Sequence, residues 1–268
     1  MNIGFLGPQT SFSNEAALEV FPKAKLIALN SIQAVFSSLM TGEVTEAIVP
    51  IENSSGGSVS TTLDELIEKE VYIIGEYFLH VKHNFLARRP IDKIKKIYSH
   101  PQAFSQCKNW IHVNALGKEL IEVASTSNAA ERASIETDAG AIASKLAAER
   151  FGLDILEEGI NDESENITRF IIISRTRELP DDKEKTSLVF GVKDKPGALL
   201  DILSIFKKFS INMIKIESRP SQVKTWEYLF FVEIKGNTVQ KNINEALKEI
   251  QTQAVDFKVF GSYSAIKN

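Results

Sequence analysis

The sequence lacks most of the features that would assign a protein class at once. Its 268 residues include one cysteine, Cys107, so one chain can form neither an intrachain disulfide nor a thiolate metal cluster. No apolar run approaches the roughly eighteen residues of a membrane span, and the N-terminus has no basic segment followed by a long apolar stretch. These absences predict a cytoplasmic protein without a membrane partner.

The charge balance argues against a nucleic-acid partner. The chain has 31 Lys and Arg residues against 35 Asp and Glu residues, a formal net charge of −4 and a pI near 5.7. Binding a polyanion requires a basic surface that this composition does not predict. Hydrophobic residues make up 43% and charged residues 25%, which is typical of a globular protein, and the length favours two domains. We expect a small-molecule partner.

The first two thirds of the chain alternate short apolar runs with amphipathic segments. The runs I-G-F-L-G, K-L-I-A-L and A-I-V-P-I are separated by predicted helices that begin near Asn14 and Ile32. This β-α-β-α-β order predicts a largely parallel sheet covered by helices on both faces. The same rhythm follows a long strand-like stretch, V-Y-I-I-G-E-Y-F-L-H-V-K-H-N-F-L, whose length indicates a crossing between two lobes.

A change of composition separates the last third of the chain. The segment R-T-R-E-L-P-D-D-K-E-K, residues 175–185, is rich in charge around one proline and predicts an exposed linker. Beyond it the pattern becomes β-α-β-β-α-β, with one helix opened by Pro196 and another beginning near Val239. That order predicts a ferredoxin-like module.

Polar residues are concentrated where predicted strands end and helices begin. Six such junctions occur in the first domain, at Gly7–Ser13, Glu52–Ser58, Ser99–Gln102, Ser125–Asn128, Ser144 and Thr168–Arg169. Each alone is typical of a helix cap. Together they predict a cleft lined by hydroxyls, amides, helix N-termini and one arginine, which suits a small ligand that carries carboxylates.

Other chemical sites are disfavoured by spacing and setting. His80 and His83 are three residues apart on a strand-like run and so face opposite sides, which disfavours a metal site. Cys107 could be imagined as a nucleophile beside His100, but its place in a helix that packs the segment F-S-Q-C-K-N-W favours a buried, inert thiol. We therefore predict neither metal nor cysteine chemistry.

Two further features have plain structural interpretations. The pair Gly56 and Gly57 lacks the lysine of a P-loop and is more typical of a turn that lets backbone approach a ligand. Arg169 could pair at the surface with Glu163 or Glu165 instead of holding a ligand. The residues alone leave that choice open.

Taken in order, the motifs resemble one known family. V-P-I-E-N-S-S-G-G-S-V, S-H-P-Q-A-F-S-Q-C, S-T-S-N-A-A, A-I-A-S and E-N-I-T-R-F resemble the catalytic domain of prephenate dehydratase, and K-D-K-P-G-A-L-L with I-E-S-R-P resembles the regulatory ACT domain. The resemblance implies an α/β chain with a two-lobed, periplasmic-binding-protein-like (type II) catalytic domain over residues 1–178. Lobe 1 would be about 1–76 plus 157–178 and lobe 2 about 77–156, followed by a ferredoxin-like βαββαβ ACT domain over 186–268.

The resemblance also implies an activity, that of a carbon-oxygen lyase which converts prephenate to phenylpyruvate in L-phenylalanine biosynthesis without a cofactor. The implied catalytic residues are Thr168, Arg169, Glu52 and Asn53, with Thr168 as donor to the leaving hydroxyl and Arg169 on a substrate carboxylate. From the residues alone Glu52 is an alternative acid. The implied substrate-binding residues are Ser11, Ser99, Gln102, Ser125, Thr126, Ser144 and Phe170.

One loop departs from the family pattern. The first loop usually has glycine where this sequence has Thr10, and threonine or alanine where it has Ser11. Glycine often marks a positive φ, which threonine tolerates badly. We therefore expect the loop to bend differently, which places the substrate contact of Ser11 in question.

The C-terminal motifs imply regulation by L-phenylalanine, which members of the family bind between two ACT domains. Pro196 opens a helix directly after a strand, an arrangement suited to an amino-acid carboxylate. By match, the effector contacts would be Gly197, Ala198, Leu199, Glu217, Ser218, Arg219 and Pro220. The resemblance implies a homodimer or tetramer formed through these domains.

Two alternatives stay open at the level of sequence. A two-lobed binding domain joined to an amino-acid sensor could bind a solute without catalysis. Arogenate, which has an amino group where prephenate has a keto group, could be the preferred substrate.

Overall fold

The computed structural model describes residues 1–163, 165–177, 183–220 and 228–266. Parts of the predicted linker and ACT domain, at 178–182, 221–227 and 267–268, lie outside these residues. The strands are β1 (Asn2–Leu6), β2 (Lys25–Leu29), β3 (Glu46–Asn53), β4 (Gly57–Ser58), β5 (Tyr72–His80), β6 (Asn84–Ala87), β7 (Lys96–Ser99), β8 (Glu119–Glu122), β9 (Ala139–Ala143), β10 (Asp154–Glu157), β11 (Ile167–Ser174), β12 (Lys185–Val192), β13 (Met213–Pro220), β14 (Tyr228–Lys235) and β15 (Phe257–Tyr263). The α-helices are α1 (Phe12–Val20), α2 (Ile32–Thr41), α3 (Ser60–Glu68), α4 (Pro101–Gln106), α5 (Lys108–Asn114), α6 (Thr126–Ile135), α7 (Lys145–Phe151), α8 (Ala198–Lys208) and α9 (Lys241–Gln253).

The first two sheets share one strand arrangement. The first has the order β2-β1-β3-β11-β5, with β4 paired to β3, and the second has the order β8-β7-β9-β6-β10. In each, the first strand of a β-α-β-α-β run lies between the second and third, and these pairs are parallel. In the second sheet β6 runs antiparallel to both β9 and β10. The predicted two-lobed, periplasmic-binding-protein-like α/β fold is confirmed.

Hydroxyl caps set the start of most helices in these layers. Ser11, Ser31, Ser125 and Ser144 have extended backbone, and each side chain accepts a hydrogen bond from the N-H three residues on. Such a cap satisfies one of the N-H groups that a helix cannot satisfy itself. The helices α1, α2, α6 and α7 begin two to six residues after strands β1, β2, β8 and β9 end.

The third sheet is antiparallel, with the order β13-β14-β12-β15. Helices α8 and α9 pack on it through a buried core that includes Phe190, Phe206 and Ile250. The predicted βαββαβ module is confirmed, with β13 at one edge. In the described part of the chain, no helix combines the length and apolar character needed to cross a membrane.

Contacts divide the chain into two compact units. The first contains Met1–Val59 and Phe78–Phe170, and the second contains Ser60–Tyr77 and the described residues between 171 and 266. Within the second unit, α3 and the first part of β5 touch the antiparallel sheet: Lys258 Nζ donates to the carbonyl of Leu66 on α3 at 3.0 Å, and Lys185 Nζ donates to Glu76 Oε2 on β5 at 2.8 Å. This division differs from the predicted domain bounds, which remain a prediction.

Thr10 keeps a glycine-like conformation although it is threonine. Its φ is +70°, in the region that glycine favours, so the reason for expecting a different bend, that threonine would avoid a positive φ, does not hold. Both of its peptide groups are held by buried side chains: its N-H donates to Asn14 Oδ1 at 2.9 Å, and its carbonyl accepts from Ser144 Oγ at 2.9 Å. A non-glycine residue at positive φ costs on the order of 1 kcal/mol or more, and these two bonds offset that cost.

The double role of Ser144 can be measured by truncation. Ser144→Ala removes a helix cap and leaves the buried Thr10 carbonyl without its donor, so we expect the free energy of unfolding to fall by about 2–3 kcal/mol. Ser31→Ala removes a cap alone and is the matched control, with an expected loss of about 1 kcal/mol. Urea unfolding measures both. Equal losses in the two variants would show that the Thr10 contact contributes nothing.

Candidate active site

A cavity of about 300 Å³ lies in the first unit, beside the loops that follow β1, β3, β7 and β8 and the start of β11. Six of the predicted site residues line it: Ser11, Asn53, Gln102, Ser125, Thr126 and Thr168. His83, His100 and Gln106 also line it and were not predicted as substrate contacts. Gln106 lies inside the motif S-H-P-Q-A-F-S-Q-C, which was the available signal, whereas His83 had been considered only as a metal ligand.

Three helix N-termini meet at this cavity. The capping residues of α1, α4 and α6 are Ser11, His100 and Ser125, and all three line the cavity wall. Each helix start carries partial positive charge and N-H groups that favour an anion. Among the described residues that line the cavity there is no lysine or arginine. Helix N-termini are therefore the main source of positive potential in its walls.

Asn53 holds Thr168 in a fixed orientation. Its Oδ1 accepts from the backbone N-H groups of Ser55 at 3.1 Å and Gly56 at 3.0 Å. Because backbone N-H groups can only donate, the other end of the amide must be Nδ2, which donates to Thr168 Oγ1 at 2.9 Å. Thr168 thus accepts from Asn53, and its own proton is available to a group bound in the cavity.

Arg169 follows Thr168 on β11 but does not line the cavity. Its Nη1 donates to Glu52 Oε2 at 3.2 Å, and its side chain is 9% exposed. One carboxylate partner of Arg169 in the structure is Glu52, whereas the sequence had suggested Glu163 or Glu165. Phe170 is buried behind it. Neither Glu52, Arg169 nor Phe170 lines the cavity in this structure.

Two predicted contacts have hydroxyls engaged in the protein interior. Ser99 is fully buried and donates to the carbonyl of Ile142 at 2.8 Å. Ser144 is buried, donates to Thr10 and caps α7. The structure does not bring either to the cavity, because each side chain already has a partner that positions a neighbouring loop or strand.

Cys107 has the character expected from sequence. It is fully buried, and burial raises the pKa of its thiol to about 12, with the charge of Asp162 adding to the effect. A thiol with that pKa is not a nucleophile at neutral pH.

The predicted effector residues fall on two elements of the second unit. Gly197, Ala198 and Leu199 line a cavity of about 220 Å³, together with Tyr228 and Phe230 of β14. Glu217, Ser218, Arg219 and Pro220 lie on the neighbouring edge strand β13 and do not line that cavity. Within one chain the structure therefore brings together only the first group.

Arg219 has partners on α3. Its Nη1 donates to Ser60 Oγ at 2.8 Å, and its Nη2 donates to Asp64 Oδ1 at 2.7 Å. These contacts engage both terminal nitrogens of the guanidinium, so an effector that binds those nitrogens would share them with α3 or displace α3 from them.

Comparison with known proteins identifies the family. A sequence profile of prephenate dehydratase matches residues 3–178, and a profile of the ACT domain matches residues 186–251. The chain belongs to the prephenate dehydratase family. It is 40% identical over 265 residues to the bifunctional chorismate mutase/prephenate dehydratase of Aquifex aeolicus, across 98% of this chain and 73% of that protein. The resemblance seen in the sequence is confirmed.

Solved structures agree with this assignment. The prephenate dehydratase of Arthrobacter aurescens in complex with L-Phe has a TM-score of 0.92 and 31% identity, and covers 98% of this chain and 90% of its own. GqqA, described as a new type of quorum-quenching acylase, has a TM-score of 0.90 and 28% identity, covering 99% and 98%. Since one fold can host different reactions, the chemistry must be argued from the residues of the site.

Replacing the amide of Asn53 by a carboxylate tests its orientation. Asn53 Nδ2 also donates to Asn166 Oδ1 at 3.0 Å. In Asn53→Asp an oxygen replaces Nδ2, so the Thr168 proton turns toward that oxygen, and the same oxygen faces Asn166 Oδ1 without a proton between them. We expect kcat for prephenate to fall by about 100-fold, and the unfolding free energy to fall by about 1–3 kcal/mol. Steady-state kinetics and urea unfolding measure these effects.

Asn30→Asp is the control for the charge change, because Asn30 is exposed and distant in sequence from the site. It should leave both quantities unchanged. A kcat for Asn53→Asp within threefold of the parent would contradict the assigned amide orientation.

Proposed function

We propose that Thr168 is the hydrogen-bond or proton donor in the decarboxylating dehydration of prephenate to phenylpyruvate, the reaction of the family to which the chain belongs. The observation that supports this role is the contact with Asn53, which leaves the Thr168 hydroxyl as a donor at the wall of the cavity. Glu52, the alternative acid, faces Arg169 and does not line the cavity.

The reaction needs few groups from the protein. The bond between the ring carbon and its carboxylate breaks, carbon dioxide leaves, and the electron pair enters the ring as the opposite carbon loses hydroxide. Aromaticity drives both steps. Hydroxide is a poor leaving group, so a hydrogen bond or proton from Thr168 stabilises it as it departs. A hydroxyl is a weak acid, and if it transfers its proton fully, water must restore it.

Anion binding in this proposal comes from two sources. The N-termini of α1 and α6 face the cavity and suit the carboxylates of the substrate. Arg169 takes its proposed role on the pyruvyl carboxylate by exchanging Glu52 for the substrate. A ring carboxylate left poorly solvated is destabilised relative to the transition state, in which its charge spreads into the ring.

Threonine variants separate this chemistry from binding. We expect Thr168→Ala to lower kcat by about 100- to 1,000-fold, because the donor is lost, with KM within about threefold. Thr168→Ser keeps the hydroxyl and should retain at least a tenth of the parent activity. Phenylpyruvate formation at neutral pH measures both variants.

Each other outcome has a defined meaning. A Thr168→Ala variant with unchanged kcat would overturn the assigned donor. A parent protein that binds prephenate without converting it would favour the solute-binding alternative. Preferential turnover of arogenate would move the substrate to its amino analogue and leave the role of Thr168 in place.

For regulation, we propose that L-phenylalanine binds at the Gly197 cavity and that the site is completed by β13 of a second copy. The motif strand β13 is an edge of its sheet and exposes Ile214 and Ile216, at 41% and 46%. An exposed apolar edge strand is suited to pairing with another chain. This supports a homodimer or a tetramer. A cytoplasmic location remains part of the proposal.

Glycine substitution tests the effector site. Gly197 has a φ of +81°, and a Cβ added there meets no atom within 4 Å. We expect Gly197→Ala to raise the L-phenylalanine concentration for half-inhibition by about 10-fold, because the alanine strains the backbone that receives the carboxylate. Basal kcat should not change.

Gly117→Ala is a matched control, since Gly117 has a φ of +79° and the same open space around it. It carries similar strain at an unrelated loop and should leave inhibition unaltered. Equal inhibition curves for the parent and Gly197→Ala would remove this residue from the effector site.

A further inference from the structure

A continuous chain of hydrogen bonds extends from Thr168 to His83. Asn53 Nδ2 donates to Thr168 Oγ1 at 2.9 Å and to Asn166 Oδ1 at 3.0 Å. Asn166 Nδ2 donates to Gln106 Oε1 at 3.0 Å, and the same oxygen lies 2.9 Å from His83 Nε2. We call this set of side chains the amide chain.

The donor and acceptor of every hydrogen bond in the amide chain follow from the orientation of Asn53, at the Thr168 end. The backbone N-H groups of Ser55 and Gly56 fix the oxygen of the Asn53 amide, so its nitrogen faces Asn166. Asn166 must therefore present oxygen to Asn53 and nitrogen to Gln106. Gln106 in turn presents its oxygen, and His83 Nε2 must carry a proton.

The surroundings of His83 favour the neutral ring. His83 is 3% exposed, and burial lowers its pKa, although the Gln106 hydrogen bond opposes the shift. Its backbone N-H donates to Asn161 Oδ1 at 2.8 Å, and the ring of Phe12 packs edge-on at 5.3 Å. Backbone and ring are thus both held, with Nε2-H toward Gln106.

We propose that His83 is a positioning residue for Thr168, acting through the Nε2-H group that anchors the amide chain. With two donors on Oε1, Gln106 cannot flip its amide without placing nitrogen against both. Loss of Nε2-H removes one of the two donors that hold the Gln106 amide, so Gln106 can turn and release Asn166. The Asn53 amide is then held only through its oxygen, by the N-H groups of Ser55 and Gly56. This inference rests on the proposed role of Thr168 as donor.

The amide chain joins two elements that contribute residues to the cavity wall or lie next to one that does. Gln106 is the last residue of α4, and His100 and Gln102 of the same segment form part of the cavity wall. Asn166 directly precedes β11, two residues before Thr168. The amide chain therefore ties the α4 wall to the strand that carries the donor.

Two isosteric substitutions separate the ring nitrogens, because a glutamine amide reaches about as far as Nε2 and an asparagine amide about as far as Nδ1. We expect His83→Gln to keep kcat within about threefold, since its NH₂ can still donate to Gln106. We expect His83→Asn and His83→Leu to lower kcat by about 10-fold with KM within threefold. His112→Gln, at an exposed helix position, is the control and should match the parent.

Coupling to Thr168 is measured with a double variant. If His83 acts through the Thr168 hydroxyl, His83→Leu should change the residual rate of Thr168→Ala by less than twofold, although it costs about 10-fold in the parent. Full additivity would overturn the proposal. So would activity kept in His83→Asn and lost in His83→Gln, which would indicate that Nδ1 contacts the substrate.

The tautomer of His83 can be measured by NMR without any measurement of turnover. Ring-nitrogen NMR shifts of ¹⁵N-histidine protein at neutral pH report the tautomer, and His83→Gln assigns the signal among the four histidines. We expect a neutral ring with the proton on Nε2. A proton on Nδ1 would overturn the inference even if prephenate proved not to be the substrate, so failure here is distinguishable from failure of the proposed function.

Discussion

Two backbone N-H groups, those of Ser55 and Gly56, set the polarity of the whole site. They fix the amide of Asn53, and every hydrogen bond from Thr168 to His83 follows from that orientation. A hydroxyl alone can rotate to donate or accept, so a threonine without a fixed partner is not committed to acting as a donor. The turn after β3 supplies that fixed partner by holding Asn53, which is why the Thr168 hydroxyl can act as a defined donor.

Electrostatics in the site relies on backbone more than on charged side chains. Three helix starts face the cavity, whereas Arg169 is held by Glu52 in this structure. Partial charges at helix N-termini are fixed in place and need no reorganisation when an anion arrives. A site of this kind can bind carboxylates while keeping the ring carboxylate away from a strong cation, which would stabilise the ground state and oppose decarboxylation.

The loop at Thr10 shows how distant residues can replace a glycine. Thr10 adopts a positive φ because Asn14 and Ser144 hold its N-H and carbonyl. Ser144 lies 134 residues away along the chain. The same hydroxyl that resembled a substrate contact in the sequence therefore maintains the loop that carries Ser11 to the cavity wall.

The sequence by itself determined the order of strands and helices, the capped junctions, the βαββαβ module and the family. These depend on local patterns: apolar alternation, Ser caps and short motifs. Only the tertiary structure decided which junction hydroxyls reach the cavity. Ser125 and Thr126 line it, whereas the Ser99 hydroxyl donates to the carbonyl of Ile142 on the neighbouring strand β9. It also decided that Gln106, Asn166 and His83 join Thr168. The two residues in each of these hydrogen bonds lie 23 to 115 positions apart along the chain, so the spacing of residues in the sequence does not predict that they meet.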